Sequence, residues 1–169
     1  MGFFKMIRAP AVAGSFYPAD PLELASFVQS TLGSCCGAAF DAKGLIVPHA
    51  GYVYSGEVAG RAYRLVCNRP HLKRVILLGP AHRVYVEGLA LSSATHFQTP
   101  LGSVAIATEL NREMLSLPQV QVSDQAHMQE HSLEVQLPFL QQTLKDFRLV
   151  PVLVGNATVQ QTAEVIDLL

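Results

Sequence analysis

The chain has 169 residues, a formal net charge of −1, 50% hydrophobic residues and 15% charged ones. That length suits one domain, and a charged share well below the usual ~25% excludes a disordered chain and favours a sheet covered on both faces. The near-neutral balance argues against binding a nucleic-acid backbone, which needs clustered Lys and Arg, and no apolar stretch approaches the ~20 residues of a membrane span.

The N-terminal MGFFKMIRAP is too short and too interrupted for a secretory signal, and Met6 stands where an acylation signal needs Ser or Thr. The first predicted helix starts at Asp20-Pro21-Leu22-Glu23: an N-cap carboxylate, Pro at the first helical position and an acid three residues after the cap. It is expected to end near Gly33, with 34–42 a loop. Residues 44–47 (GLIV) are a short apolar run stopped by Pro48, as in a buried strand. After the polar loop HAGYVYSG, 57–66 reads as a helix with Val58, Ala62 and Leu65 at helical spacing. Residues 74–78 (RVILL) read as a second buried strand, parallel and covered on both faces.

Residues 87–92 and 103–107 look like short strands joined by a long loop containing His96 and Pro100. Thr108 is the candidate cap of a helix over 109–117. A further helix is expected from near Glu130, with Leu133, Leu137, Leu140 and Leu144 on one side and Pro138 bending or splitting it. Residues 147–154 (FRLVPVLV) form a third apolar strand, and Thr158 with Gln161 is a capping box opening a last helix. There is no internal repeat. Alternating strands and helices predict an α/β fold with a mostly parallel sheet and helices on both faces. The last helix stops at residue 169 with nothing in the pattern that closes a domain, so truncation at the C-terminus is expected.

In such sheets, ligands bind beyond the carboxyl ends of the strands. His49 follows the 44–47 strand and His82 follows the 74–78 strand, so parallel strands would carry both imidazoles to one rim. His131, at a helix start, can face the same rim. Two neutral imidazoles and an anionic ligand make a metal site with open positions, and a third histidine nearby can transfer protons. The alternative is that these are loop histidines bonded to backbone. His127 and His131 stand at i and i+4, but HMQEH places Glu130 beside the second histidine, unlike HExxH. His71 and His96 read as solvated loop residues.

Asp124 and Glu130 are the acids nearest the His131 turn; each either orients an imidazole or complements a helix dipole. Tyr52, Tyr54 and Ser55 are candidate pocket residues, with packing beside the sheet as the alternative. No GxSxG elbow, phosphate loop or GxGxxG occurs, which sets aside serine hydrolase, NTPase and dinucleotide chemistry. Cys35, Cys36 and Cys67 are odd in number, two of them adjacent, and form no disulfide framework or CxxC motif. A reducing, cytoplasmic setting is expected, with Cys67 a small buried apolar residue.

Five blocks carry a resemblance: APAVAGSFYP at 9–18, VPHAGYVYSG at 47–56, LLGPAH at 77–82, EHSLEVQLPFL at 130–140 and PVLVG at 151–155. In this order they resemble the Memo family, also called AmmeMemoRadiSam system protein B, whose fold is similar to the class III extradiol ring-cleaving dioxygenases. The resemblance implies a single Memo-like domain over 1–169 that lacks the C-terminal part of the family fold. It matches His49 and His82 to two metal-ligating histidines and His131 to the acid/base position. It implies Fe(II) or copper as cofactor, with a third ligand, a cysteine, outside this chain; Cys35, Cys36 and Cys67 do not match its position. A metal-dependent, dioxygenase-like oxidoreductase is one implied function. The other is a non-catalytic metal-binding or docking protein, taking a small molecule or peptide and acting with radical-SAM and AMMECR-type proteins. Sheet surface left bare by the absent part is expected to invite self-association into a homo-oligomer.

Overall fold

The computed structural model describes residues 6–33 and 42–169. In chain order the elements are β1 (Ile7–Arg8), α1 (Pro21–Leu32), α2 (Tyr52–Tyr63), β2 (Arg74–Pro80), β3 (Leu89–Leu91), β4 (His96–Thr99), β5 (Gly102–Ala105), α3 (Thr108–Met114), β6 (Val120–Val122), α4 (Asp124–Met128), α5 (Leu137–Thr143), β7 (Arg148–Val154) and α6 (Val159–Leu168). Single 3-10 turns occupy Arg64–Val66 and Glu134–Gln136.

Local chemistry accounts for the helix ends. The Asp20 carboxylate accepts the backbone N–H of Leu22 and Glu23, each at 2.9 Å, and opens α1. Leu24, Val28 and Leu32 line its buried stripe, and Gly33 closes it at φ +59°, a left-handed conformation that suits a residue without a side chain. At α6, Thr158 Oγ1 accepts from Gln161 N at 3.1 Å while the Gln161 side chain accepts from Thr158 N at 2.8 Å, completing the capping box.

The two long strands lie side by side. β2 and β7 pair in parallel from Arg74↔Arg148 to Pro80↔Val154. Their alternation serves both faces. Val75, Leu77 and Leu149 pack into the core under α1, α2 and α5, while Ile76, Leu78, Val150 and Val152 pack with Leu110, Met114 and Val165 of α3 and α6. A buried parallel pair therefore reads as a continuous apolar run.

The sheets themselves are mixed, which corrects the expectation of one mostly parallel sheet. The larger has the order β2-β7-β3-β6; β2 and β7 run parallel, β3 and β6 run parallel, and β7 and β3 run antiparallel. The smaller has the order β1-β4-β5, with β4 and β5 antiparallel. The expected 103–107 loop partner is this hairpin: β4 fills what read as a loop around His96, and Pro100-Leu101 make the turn.

Other expectations shift with tertiary context. Residues 44–47 join no strand, and Ile46 is fully exposed, because no neighbouring strand lies beside them among the described residues. α2 starts at Tyr52, not at 57: Tyr52 N donates to Phe16 O at 2.7 Å, so a distant loop anchors its first turn. Thr108 lies inside α3 with Ala107 at the cap position. The helix expected from 130 is split into a turn, a 3-10 turn and α5, with Pro138 in the first turn of α5, where its missing N–H costs nothing. Leu133, Leu137, Leu140 and Leu144 are nonetheless all buried. Cys67 is buried, as expected of a small apolar residue, but it is disulfide-bonded, which departs from the expectation of a reducing setting without disulfides. The 34–42 loop, apart from its last residue, and Cys35 and Cys36 lie outside the described residues. No helix among the described residues is long and apolar enough to cross a membrane.

Candidate metal centre

His82 stands just past the end of β2, and His49 lies in the segment leading into α2. His131 stands in the turn between α4 and α5. Three separate stretches of chain thus deliver one imidazole each. The rings of His82 and His131 stack with centroids 4.7 Å apart, and His49 lies 5.2 Å from the first and 5.9 Å from the second. One nitrogen from each lies within 4.8 Å of the other two. His82 is exposed and the other two are half-buried, so the group opens to solvent on one side.

Gly79 makes this approach possible. A Cβ there would lie 2.7 Å from Leu133 Cδ2 and 2.8 Å from Ser132 Oγ. Without one, the 130–133 turn packs against the end of β2, and Ser132 Oγ donates to Pro80 O at 2.9 Å.

Glu130 is the organising carboxylate. It accepts His82 N at 2.6 Å, His131 N at 2.8 Å and Ser132 N at 2.9 Å, and it meets His82 Nδ1 at 2.9 Å. With the proton on Nδ1, His82 presents Nε2 as a free lone pair. Burial alone would push the Glu130 carboxyl up, but the donors from His82, Ser132 and His131 outweigh it and hold the group down at about 2. Glu130 is therefore an anion at any physiological pH.

The ligand candidates are held in the complementary state. Burial pulls His49 below its ordinary value, and the positive charge His82 can carry adds to this. Burial does the same at His131; Glu130 opposes it, and the charges of His82 and His49 reinforce it. Neutral imidazoles are the form that binds metal. His131 Nδ1 is buried without a hydrogen-bond partner, 3.2 Å from Glu130 Oε1 but misaligned with it. Three imidazoles whose nitrogens converge beside a buried carboxylate fit a cation such as iron, copper or zinc, for which imidazole is a suitable ligand.

The remaining sequence-derived residues fall in different places. Tyr52 is in the core, donating to Val135 O at 2.8 Å and stacking on Phe27. Ser55 donates to Ala50 O at 3.1 Å within the start of α2. Tyr54 is exposed and lines a groove of about 770 Å³ beside the histidines, together with Phe16, Ile46, Pro48, His49 and His131. Asp124 accepts from Ser92 Oγ and Ser93 N, each at 2.8 Å, and so ties the chain after β3 to α4. His127 is buried, with Nε2 3.0 Å from Ala90 O. His71 is exposed, whereas His96 is half-buried at the start of β4.

Sequence reasoning missed three supports. Phe16 packs its ring 4.6 Å from His131. Arg8 donates to His127 O at 3.0 Å, to Glu130 O at 2.6 Å and to the Glu134 carboxylate. Glu134, buried, also accepts Ala11 N at 2.8 Å, Val12 N at 3.0 Å and Tyr17 Oη at 2.5 Å. For Arg8 and Phe16 the available signal was their place in a run of small residues, Ala9, Ala11, Ala13, Gly14 and Ser15, that forms no helix or strand pattern.

The family profile described as Memo-like protein matches residues 8–169. The chain belongs to this family. It is 40% identical over 149 residues to a MEMO1 family protein of Aquifex aeolicus, a match covering 88% of this chain and 55% of the relative. It is 35% identical over 167 residues to a MEMO1 family protein of Sulfolobus acidocaldarius, covering 90% and 59%. A third relative, from Methanopyrus kandleri, is 37% identical over 171 residues, covering 95% and 60%. This Memo-like chain thus spans a little over half the length of the curated relatives it matches.

Proposed function

We propose that this Memo-like chain is a metal-binding protein in which His49 and His82 hold iron(II) or copper and His131 is the acid/base group beside them. The observation that carries the reading is the convergence of three ring nitrogens within 4.8 Å. Metal bound there would supply Lewis-acid or redox chemistry. Glu130 orients His82 and the backbone of His131, and burial disfavours the protonated forms of His49 and His131.

The adjoining groove favours a dioxygenase-like oxidoreductase over a bare metal carrier. Phe16, Ile46 and Tyr54 give it apolar walls beside the imidazoles, so an aromatic small molecule would bind with its polar edge toward the site. His131, at the groove and the cluster alike, would then take or return a proton from that edge.

Anaerobic titration with Fe(II) or Cu(I) tests the binding step. About one equivalent is expected to bind, and His49→Ala and His82→Ala are each expected to abolish binding. Unchanged binding in both variants overturns the proposal. Oxygen uptake with catechol-like compounds tests the chemistry: uptake that needs both metal and His131 supports the oxidoreductase, and silence across a broad panel favours the non-catalytic metal-binding alternative.

A further inference from the structure

His49 lies in a stretch, 44–51, that belongs to no helix or strand, so no ladder fixes where its imidazole stands. Contacts to this stretch come instead from the 3-10 turn Glu134–Gln136, three residues beyond His131. All three residues of the turn are buried. Each ties to 48–52 in its own way.

Gln136 does so directly. Its Nε2 donates to Pro48 O at 3.1 Å, and Tyr63 Oη donates to its Oε1 at 3.0 Å, which fixes the way the amide faces. Val135 offers its carbonyl, which accepts Tyr52 Oη at 2.8 Å. Glu134 acts through the 11–17 segment. Its carboxylate accepts Ala11 N, Val12 N and Tyr17 Oη; Val12 O accepts Phe16 N at 2.9 Å, and Phe16 O accepts Tyr52 N at 2.7 Å. The turn is also pinned on its other side. Arg8 joins the Glu134 carboxylate to Glu130 O, and Val135 N donates to His131 O at 3.1 Å.

Glu130 already binds His82 and His131 into one unit. We infer that the turn 134–136 joins His49 to that unit and sets the spacing of the imidazoles, with Gln136 as the positioning residue for His49. The tolerance is narrow, because metal–ligand distances hold to about 0.2 Å, while the ties themselves are buried hydrogen bonds with no water to replace a lost partner. The consequence for metal rests on the metal-binding reading above; the spacing itself does not.

The test compares variants in the metal-free chain and then with Fe(II). Gln136→Met keeps the length of the side chain but cannot donate to Pro48 O. Tyr52→Phe cuts the bond to Val135 O and keeps the ring. In each, amide hydrogen exchange at 49–52 is expected to quicken about tenfold, the effect of one lost hydrogen bond on a local opening. Fe(II) affinity is expected to fall about tenfold or more. Val165→Ala, in the separate core cluster that includes Leu110 and Met114, is the stability control: it is expected to lower the thermal midpoint and to leave both readouts at the parent values. Exchange at 49–52 that keeps the parent rate in a folded Gln136→Met or Tyr52→Phe chain overturns the inference. So does exchange that quickens as much in Val165→Ala, or quickened exchange with unchanged Fe(II) affinity. A parent chain that binds no Fe(II) sinks the metal-binding reading instead, and the exchange comparison alone then decides whether the turn holds the stretch around His49.

Discussion

Glu130 grips His82 twice, accepting its backbone N–H at 2.6 Å and meeting its Nδ1 at 2.9 Å. One carboxylate thereby sets both the position of the loop after β2 and the tautomer of its imidazole. Partners of this kind commonly contribute 10–100-fold in metal affinity. Glu130→Gln keeps the shape but weakens the bond to His82 Nδ1 and turns an acceptor into a donor facing backbone N–H groups. Its Fe(II) or Cu(I) affinity is expected to fall by about that factor while the far-ultraviolet circular dichroism stays native. An unchanged affinity would show that His82 needs no orienting group.

The Arg8–Glu134 pair is buried, with side-chain exposures of 7% and 0%. Breaking such a pair leaves one charge in the interior without compensation, at a cost of about 3–5 kcal/mol. Arg8→Ala is expected to lower the unfolding free energy by that amount in urea titration. Tyr17→Phe, which removes one donor to the Glu134 carboxylate, is expected to lose about 1.5–3 kcal/mol. A loss below 1 kcal/mol for Arg8→Ala would mean that the 8–17 segment is not held by this network.

Burial pulls His127 down to about 4 from an ordinary 6.5, against a partly compensating bond to Ala90 O. The folded state therefore resists protonation that the unfolded chain accepts. The resulting stability is complete above pH 6.5 and is lost as pH falls toward 4, by about 3 kcal/mol at most. His127→Gln can keep a donor to Ala90 O without titrating. Its unfolding free energy is expected to vary less between pH 6.5 and 4 than that of the parent chain; parallel curves would remove His127 as the cause.

Gly79→Ala places a methyl group within 2.7–2.8 Å of Leu133 and Ser132. Overpacking of this kind costs about 1–3 kcal/mol. Because the same turn carries His131, the change is also expected to weaken metal binding, whereas a purely structural effect would lower the thermal midpoint and leave affinity intact. Isothermal titration beside thermal unfolding separates the two.

The helix caps and the long strands were legible in the sequence, because each is decided within a few residues. Asp20 reaches two backbone N–H groups of its own first turn, Thr158 and Gln161 satisfy each other, and the apolar runs at 74–78 and 148–154 cannot be left in water. The histidines after Pro48 and Pro80 could be picked out by their place at predicted strand ends. What the sequence alone did not determine was pairing. Whether 44–47 becomes a strand depends on a neighbour, β4 and β6 exist because a distant edge accepts them, and β7 meets β3 antiparallel by a register that no local pattern states. The convergence of His49, His82 and His131 belongs to the same class. It rests on Gly79, on Glu130 and on Arg8, contacts made between residues dozens of positions apart, whose free energy appears only once the chain has folded around them.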